Sequence, residues 1–582
     1  MDIFDVLALI GGLCLFLFGM DIMGSALERR AGGGLRAILG KLTNNKFTGF
    51  LTGLAVTAII QSSSATTVMV VGFVNSGLMT LKQSISIIMG ANIGTTVTAW
   101  LLSLGGISSG NMFVKLLKPT SFTPVLALVG IILLMFGKTS KKKDTATILL
   151  GFATLMFGMD AMSGAVSGLA DVPAFQNLFI AFKNPVLGLI VGAVLTAIIQ
   201  SSSASVGILQ ALSVTGQVSY GAAIPIIMGQ NIGTCVTAII SSFGANKNAK
   251  RAAVVHLAFN VVGSIVWLTV FGLISYFLKP VFLDQAAGFL GIAVCHSIFN
   301  LLCTAVLFPA SSLLEKLAIR LVPDTGKEDT VEVIDARLLA TPSIGLEHCR
   351  ELVIKMANEA VASFKQSMEL VKNYDEKGCE QVKESESKVD KLEDILGTYL
   401  VKLSRCQLSD EEGAEVSMLL KLIGDFERIS DHSVNVVESA EELHEKKMEF
   451  SDEAKGELDM LFKATSEILD LSTRTFVDND AVAAQRVEPL ETVIDTLKSR
   501  MRNSHIDRLQ DGGCTIEAGF VWSDLITNIE RTSDHCSNIA LYVIDAAAYN
   551  LNVHESVRII KKESPYFQQE YEAYLKKYTK QV

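Results

Sequence analysis

The nine-residue stretch TAIIQSSSA at residues 57–65 returns without a change at residues 196–204. Apolar sequence flanks both copies, so four consecutive polar residues interrupt an apolar segment twice. Such a run cannot lie on one face of a continuous helix, and each unpaired buried polar group costs about 1–3 kcal/mol. A helix break here removes the conflict, because freed N–H groups and hydroxyls can line a cavity. The residues concerned are Gln61, Ser62, Ser63, Ser64, Gln200, Ser201, Ser202 and Ser203.

The repetition extends beyond this stretch. LFLFGMD at 15–21 corresponds to ATLMFGMD at 153–160, and IIMGANIGTTVTA at 87–99 corresponds to IIMGQNIGTCVTA at 226–238. Equivalent residues of all three pairs are 139 positions apart. This constant offset predicts an internal duplication, with repeats at about 6–137 and 145–279.

Charge divides the 582-residue chain at about residue 320. Residues 1–320 carry 19 Lys/Arg and 9 Asp/Glu, whereas the rest carries 31 and 51. Apolar runs near the ~20 residues that cross a bilayer fill the first part; they lie at 6–27, 84–104, 121–137, 145–166, 220–242, 252–279 and 286–314. We therefore predict an all-α chain with a polytopic membrane domain at 1–320, a linker at 321–337, a second helical domain at 338–565 and a tail at 566–582.

Basic residues in the loops predict the orientation. If the two polar segments dip into the membrane and return, the loops on one side carry 13 Lys/Arg and those on the other side carry four. The positive-inside rule then places the N-terminus outside and the acidic domain in the cytoplasm. Three crossings separate the repeats, so we expect inverted repeats with two re-entrant helical hairpins, an architecture typical of secondary transporters.

The two polar turns are candidate anion sites, because a helix N-terminus rich in hydroxyl and amide donors favours an anion. The alternative is that small residues merely allow close helix packing. No Lys or Arg lies in either segment, so an anion would be held by neutral donors in a medium where net charge is costly. Bound cations would offset that charge.

Several oxygen-bearing side chains are candidate sodium ligands, because hard cations prefer oxygen. Two pairs follow the glycines of MGxNIGT, where a local helix break would expose their oxygens; the alternative is an ordinary helix kink. The repeated acids of the GMD motifs are candidates for cation binding or for a structural role. The set comprises Thr66, Asn92, Thr95, Ser205, Asn231, Thr234, Asp21 and Asp160.

The LFLFGM, QSSSATT, QSSSAS and paired NIGT motifs resemble the sodium-phosphate symporter family, which includes the animal type II cotransporters and bacterial relatives. The resemblance covers roughly residues 5–315. It implies phosphate uptake driven by a sodium gradient, with Gln61–Ser64 and Gln200–Ser203 at the substrate site. The two halves differ at Ala91 and Gln230, which correspond in the repeat, so they need not contribute equal sites.

The acidic part is also duplicated. LIGDFERISDHSVNV at 422–436 matches LITNIERTSDHCSNI at 525–539, and KVDKLED at 388–394 is a looser counterpart of RVEPLET at 486–492, offset by 98. Long helical patterns with few Gly or Pro predict two three-helix units in one bundle. Each ExxxD pair places two carboxylates on one helix face, and a solvated charged face is the alternative to a metal site.

The duplicated ERxSDH resembles PhoU, a bacterial helical domain tied to phosphate signalling, over roughly residues 340–560. The resemblance implies a divalent or iron-type metal bound by acidic residues. His432 and His535 are interpreted as packing residues. The implied ligands are Glu427, Asp431, Glu530 and Asp534, with Asp390, Glu393, Glu488 and Glu491 as weaker candidates.

Together these features predict a sodium-coupled phosphate importer of the bacterial inner membrane that works by alternating access and carries a cytoplasmic regulatory domain. Its expected partners are inorganic phosphate, membrane lipid and cytoplasmic phosphate-signalling proteins, without nucleic acid. We expect no enzymatic activity, since no catalytic constellation or ATP-binding loop is present. Two alternatives stay open: a symporter of another small anion, and a membrane-anchored phosphate sensor.

Overall fold

The computed structural model describes residues 3–39, 45–77, 79–107, 118–173, 176–177, 181–182, 184–323, 334–512, 514–548 and 565–579. Within these ranges every regular element is a helix, and an isolated bridge joins Ser219 to Ala286. This confirms the predicted all-α class. The chain divides into two compact units, Met1–Ile344 and Gly345–Val582.

The helices of the first unit follow the duplicated sequence. The first copy contains α1 (Ile3–Leu39), α2 (Lys46–Ile60), α3 (Ser63–Asn75), α4 (Leu81–Gly94), α5 (Thr96–Ser103) and α6 (Pro119–Phe136). The second copy contains α7 (Ser140–Ser167), α8 (Pro185–Ile199), α9 (Ser202–Ser213), α10 (Tyr220–Ser241) and α11 (Lys247–Phe277). Helices α12 (Phe289–Leu307) and α13 (Ser311–Leu321) follow.

Six helices in the described part of the chain are long and apolar enough to cross a membrane: Ile3–Ala31, Leu81–Gly106, Ser140–Ser167, Tyr220–Ser241, Lys247–Phe277 and Phe289–Leu307. They coincide with six of the seven predicted spans. The seventh falls on α6, whose described apolar stretch, Ser121–Phe136, is shorter than a span. Helices α2 and α3 have only 15 and 13 residues, which is too short for the ~30 Å hydrocarbon core.

Helices α1 and α7, which begin the two copies, pack closely through glycines related by the repeat. A Cβ atom on Gly12 would lie 3.0 Å from the carbonyl oxygen of Gly158, and one on Gly151 would lie 3.0 Å from that of Gly19. Gly12 corresponds to Gly151, and Gly19 to Gly158, at the offset of 139. The contacts are therefore reciprocal and the two helices run antiparallel, as at an interface with two-fold symmetry. Only glycine allows backbones to approach so closely.

The second unit is a helical bundle. Its first copy contains α14 (Pro342–Lys372), α15 (Glu376–Leu403) and α16 (Asp410–Glu445). Its second copy contains α17 (Asp452–Asp478), the short α18 (Ala481–Ala484), α19 (Val487–Gln510) and α20 (Ile516–Ala548). Apolar side chains line the bundle interior, and the largest of them is the buried indole of Trp522.

Helices α16 and α20, which carry the ERxSDH motifs, contact each other through a reciprocal polar network. The Nδ1 atom of His535 lies 2.7 Å from the carboxylate of Asp425, and that of His432 lies 3.0 Å from the amide oxygen of Asn528. Asp425 and Asn528 are equivalent at the offset of 103, as are the two histidines. Both histidines therefore lie in helix packing contacts.

Most of the predicted linker, residues 324–333, lies outside the described residues. Its last residues enter a short turn, Ala336–Ala340, which belongs to the first unit. In this turn Leu338 is buried beside Gly72 of α3. Arg337 donates to the carbonyl oxygen of Phe243 at 3.0 Å. This turn is therefore part of the first unit, and the second unit begins at Gly345.

The predicted C-terminal tail, residues 566–582, largely forms a helix. This helix, α21 (Pro565–Thr579), packs against α19 and α17 of the second unit. Its Tyr574 and Tyr578 side chains are buried. The described part of the tail is therefore an element of the bundle.

Candidate functional site

The two polar turns of the first unit have the same backbone geometry. Between α2 and α3, Gln61 has φ 61° and ψ 22°. Between α8 and α9, Gln200 has φ 59° and ψ 20°. This left-handed conformation costs a non-glycine residue roughly 1–2 kcal/mol, so its neighbours must hold it in place. Each copy thus contains the helix break that the polar run predicts.

The serine after each glutamine caps the next helix. The hydroxyl of Ser62 accepts from the N–H of Ala65 at 3.2 Å, and that of Ser201 accepts from the N–H of Ala204 at 3.2 Å. A single cap satisfies one of the four free N–H groups at a helix start. The remaining donors and the helix dipole make each turn suitable for an anion.

The two turns contact each other around one cavity. The hydroxyl of Ser64 donates to the carbonyl oxygen of Gln200 at 3.3 Å. The cavity has a volume of about 300 Å³. Seven of the eight predicted phosphate ligands line it: Gln61, Ser62, Ser63, Ser64, Ser201, Ser202 and Ser203. The fold therefore brings together turns that are 139 positions apart in sequence.

Helix α1 forms another wall of this cavity. Asp21, Ser25 and Glu28 line it, and among the described residues of the lining the two acids are the charged ones. Asp21 is one of the predicted cation ligands, whereas Ser25 and Glu28 were not predicted. Their spacing of i, i+4 and i+7 places all three on one helix face, and this polar stripe was the available sequence signal. The cavity combines anion-binding turns with negative charge.

The two glutamines differ in their surroundings. The Gln61 side chain is buried, its amide donates to the carbonyl oxygen of Ala58 at 2.5 Å, and its Oε1 accepts from Thr98 at 3.0 Å. Gln200 is exposed and its backbone oxygen contacts Ser64. The turns therefore share a backbone but not the same side-chain bonds.

The repeated aspartates do not lie in equivalent cavities. Asp21 lines the cavity between the turns, whereas Asp160 lines a separate cavity of about 530 Å³ with Ser163 and Phe289. The two copies therefore place this acid differently with respect to the predicted phosphate ligands.

The NIGT segments keep a right-handed helical backbone, although α4 ends at Gly94 and α5 begins at Thr96, so that Thr95 lies between the two helices. Asn92 and Asn231 each donate to the carbonyl oxygen four residues earlier, at 2.9 Å. Thr95 and Thr234 do the same at 3.0 Å and 3.2 Å. Helix α10 runs through its NIGT without interruption, so the expected break is wrong there. The side chains bond to their own helix, and the helical glycines need no other conformation.

In the second unit, carboxylates from two helices meet in the second copy. Ligand oxygens of Glu491, Asp495 and Asp534 all lie within 4.8 Å of one another. Burial, then Glu530 and Asp495, raise the pKa of Asp534 to about 6. Lys498 forms an ion pair with Glu530 at 2.7 Å. Crowded carboxylates of this kind fit a hard cation.

The first copy holds a matching group with more acids. Burial and the carboxylate of Asp431 raise the pKa of Glu427 to about 7. Burial, Asp431 and Asp390 raise the pKa of Glu386. Burial, Asp394 and Asp390 raise the pKa of Glu393. Arg428 contacts this group, with its guanidinium 3.4 Å from Asp431.

These groups correct the repeat register predicted from sequence. Glu386 and Asp390 act on Asp431, as Glu491 and Asp495 cluster with Asp534. Their offset is 105, so the alignment at offset 98 was one heptad out of register. Asp495 was missed, although Glu491 and Asp495 form another ExxxD pair. Glu488 is buried and accepts a hydrogen bond from Ser537, and it is not among the three residues whose ligand oxygens lie within 4.8 Å of one another.

Comparison with known families agrees with this division. The family model described as Na+/Pi-cotransporter matches residues 15–164 and 165–294. The PhoU domain model matches residues 353–440 and 458–543. Both models match twice; the first transporter match extends into the second copy through its GMD motif at 158–160, and each PhoU match falls within one copy. The first family consists of transporters, which confirms the prediction that the chain is not an enzyme.

Individual relatives span the chain to different extents. The inorganic phosphate export protein YjbB of Salmonella typhimurium, so named provisionally, is 23% identical over 93% of this chain and 97% of its own. YqeW of Bacillus subtilis, an uncharacterized protein, is 29% identical over 53% of this chain and 96% of its own. The sodium-dependent phosphate transport protein 2A of Rattus norvegicus is 38% identical over 16% of this chain and 15% of its own.

No solved structure matches the chain. Two lines of evidence nevertheless agree on its family. Six helices of the described residues are able to cross a membrane, and the transporter model covers both copies of the first unit. The second unit carries both PhoU matches. The protein is therefore a membrane protein of the Na+/Pi-cotransporter family with a PhoU region after its membrane unit.

Proposed function

We propose that this protein imports inorganic phosphate together with Na+ through the cavity between the two polar turns. The observation that carries the proposal is the cavity itself, where two capped helix starts meet and the charged lining residues are Asp21 and Glu28. Hydroxyl and N–H donors suit phosphate. The negative charge of Asp21 in the lining disfavours a bare anion, so we expect a cation to accompany the phosphate.

Phosphate would bind to Ser62–Ser64 of one turn and Ser201–Ser203 of the other. Asp21 would hold a sodium ion beside it, since a carboxylate is a hard oxygen ligand. The sodium gradient and the membrane potential would supply the energy. The potential contributes about 2.3 kcal/mol for each net charge moved through 100 mV.

The antiparallel contact of α1 with α7 supports inverted repeats that move against each other in alternating access. Short helices beside the polar turns support hairpins that enter the membrane and return. Loop charge supports an outside N-terminus and a cytoplasmic second unit in a bacterial inner membrane.

The second unit would bind a divalent or iron-type metal and regulate transport. Glu491, Asp495 and Asp534 fit this role, because burial and mutual repulsion raise the pKa of Asp534 to about 6 and a cation would relieve that repulsion. Glu427 and Asp431 would hold a second ion in the first copy. Phosphate-signalling proteins are the expected partners of this unit.

Export is a second candidate function. The relative that covers 93% of this chain is named for inorganic phosphate export. Cotransport with Na+ runs inward under an inward sodium gradient, so export would require another driving force or a steep outward phosphate gradient.

Radiolabelled phosphate in proteoliposomes separates these functions. The proposal expects uptake that requires an inward Na+ gradient and stops when choline replaces Na+. Uptake unchanged in choline, or efflux that Na+ does not affect, would contradict sodium-coupled import. Competition by sulfate at equal concentration would indicate another anion, and absence of any flux from correctly folded protein would favour a sensor.

A further inference from the structure

A cavity in the second unit gathers positive charge. It lies where α21 packs against α17 and α19, and its volume is about 540 Å³. Among the described residues, four cations and two carboxylates line it, whereas residues 321–582 as a whole carry 31 Lys/Arg and 51 Asp/Glu. The cavity is therefore a positive region within an acidic unit. Its charged lining residues are Lys463, Arg474, Arg486, Lys577, Glu467 and Asp470.

Both carboxylates of the lining already have cationic partners. Glu467 accepts from Nζ of Lys577 at 2.6 Å and from the hydroxyl of Tyr578. Asp470 accepts at 2.6 Å from Lys365 of α14, which does not itself line the cavity. The negative charge of the lining is therefore neutralised within the protein, and the cavity has little attraction for a cation.

The lining residues of α17 form one stripe with a free cation at each end. They share one helix face because they are spaced at i, i+4, i+7 and i+11. Lys463 and Arg474 form no ion pair or hydrogen bond within the part of the chain that the structure describes. At a rise of 1.5 Å per residue, these two residues are about 16 Å apart along the helix. The stripe comprises Lys463, Glu467, Asp470 and Arg474.

Helix α21 supplies the opposite wall. Arg486, which precedes α19, donates to Glu570 of α21 at 3.3 Å and also hydrogen-bonds to Tyr574. A guanidinium has no acceptor atom, so the hydroxyl proton of Tyr574 is left for another acceptor. Burial raises the pKa of this hydroxyl, which therefore stays a neutral donor at pH 7. The PhoU matches end at residue 543, so this wall lies outside the part of the unit that the domain model describes.

The charge and size of the cavity select a class of ligand. Lysine and arginine side chains are the usual partners of phosphate groups, and the volume lies within the range of small-molecule sites. Two free cations at opposite ends favour an elongated anion over a single small ion. We propose that this cavity binds an organic anion of nucleotide size with at least two phosphate groups, which holds α21 against α17. Any effect of this ligand on transport rests on the proposed function.

Titration calorimetry with ATP tests the site, using the full chain in detergent with a chelator to remove metal. We expect one ATP per chain. Arg474→Glu and Lys463→Glu should each weaken binding about tenfold or more, because each replaces an attraction by a repulsion. Arg502→Glu reverses an exposed arginine of α19 outside the lining and should leave the affinity unchanged. Equal affinity in wild type and folded Arg474→Glu would overturn the site.

Smaller anions test the class of ligand. Pyrophosphate should bind more weakly than ATP, inorganic phosphate more weakly again, and uncharged adenosine not at all. Inorganic phosphate that binds as tightly as ATP and is lost in Arg474→Glu would contradict an elongated ligand. Absence of binding by ATP, pyrophosphate and phosphate alike would show that the cations form an ordinary solvated face. Arg474→Gln removes the charge without reversing it, so it tests the site even if Arg474→Glu does not fold.

Hydrogen exchange of α21 tests the second part of the proposal. ATP should slow amide exchange in Pro565–Thr579 of the wild type, because the bound anion joins α21 to α17. The same ATP concentration should leave exchange in folded Arg474→Glu unchanged. Unchanged exchange in the wild type at saturating ATP would contradict a ligand that holds α21.

Transport separates this inference from the proposed function. If Na⁺ does not drive phosphate flux in the wild type but ATP binding still requires Arg474, the site stands and sodium-coupled import fails. If wild-type uptake depends on Na⁺ and ATP binding does not require Arg474, import stands and the site fails.

Discussion

The two copies of each unit preserve the backbone and differ in single side chains. In the membrane unit, the left-handed Gln61 and Gln200 differ by only 2° in φ and in ψ. The hydrogen bond between the hydroxyls of Thr57 and Thr66 in the first copy, however, is not formed by the equivalent Thr196 and Ser205. In the PhoU region, Glu393 of the first cluster corresponds to Lys498 of the second at the offset of 105. The backbone geometry of each copy and the charge of the side chains around its site are therefore determined by different residues.

The reason lies in what each group of residues does. Helix caps and glycine contacts fix where the backbone can go, so a change in either copy would disturb the whole unit. Side chains beside a cavity or cluster change only the local charge and hydrogen bonding. Duplication thus gives two copies of one frame, meaning the backbone arrangement fixed by these caps and glycine contacts. The binding sites that the two copies carry can nevertheless differ.

The largest expected effect concerns the frame. In Gly12→Val the added Cβ already lies 2.8 Å from the backbone nitrogen of Met162 in α7, whereas a Cβ on Gly11 has nothing within 4 Å. Overpacking of this kind costs about 3 kcal/mol when the obstacle is backbone. We expect Gly12→Val to lose most of its folded, monodisperse protein in size-exclusion chromatography and Gly11→Val to keep it. Equal yields would show that the reciprocal glycine contact does not hold the two copies together.

The next effect concerns the two turns. Gln61→Ala leaves Thr98 without its buried acceptor, which costs about 2 kcal/mol, whereas Gln200→Ala removes an exposed side chain. We expect a lower thermal midpoint for Gln61→Ala and an unchanged one for Gln200→Ala. The measurement is thermal unfolding of both purified variants beside the wild type. A midpoint lowered equally in both would mean that the turns are equivalent in stability.

Much of the frame could be predicted from sequence. Four polar residues in an apolar segment predicted the helix break, and identical letters at one offset predicted that both breaks match. The α1 wall was missed because a single acid near a span end does not reveal which cavity it faces; Asp21 and Asp160 have the same motif and line different cavities. That difference depends on tertiary packing.

Two other features, the NIGT helix and the register of the PhoU repeat, also depend on contacts that the sequence alone does not specify. The break expected at NIGT did not form in α10, because Asn231 and Thr234 bond to their own helix and glycine there stays helical. The PhoU register was one heptad out, since a helix face repeats after seven residues and two alignments then look alike. Only the neighbours of Asp431 distinguish them.

Exchanging the charged residues Glu393 and Lys498 between the two PhoU clusters tests whether this difference changes metal binding. The expected change in Mn²⁺ affinity is about tenfold. Lys498→Glu removes the cation that pairs with Glu530 at 2.7 Å and gives the second cluster the acid of the first. We expect tighter Mn²⁺ binding by the full chain in isothermal titration calorimetry, by about tenfold. Glu393→Lys should weaken binding in the first cluster. Unchanged titrations for both variants would show that these positions do not act on bound metal.

The smallest effect is the pH dependence of the metal-free clusters. Burial and Asp431 raise the pKa of Glu427 to about 7, whereas burial and its neighbours raise that of Asp534 to about 6. A folded carboxyl with a raised pKa holds a proton that the unfolded chain releases, so stability is highest below about pH 4.5 and falls as the pH rises towards 7. Both groups are partly solvated, which limits each effect to under about 1 kcal/mol.

Glutamine variants isolate these contributions. In chelator-treated full-length protein, calorimetry should show that Glu427→Gln reduces the loss of stability between pH 5 and pH 8 more than Asp534→Asn does, because the first cluster is the more acidic. Added Mn²⁺ should reverse the trend in the wild type, since deprotonated carboxylates bind the ion. A larger effect of Asp534→Asn would place the greater repulsion in the second cluster and contradict the ranking that Glu393 and Lys498 predict.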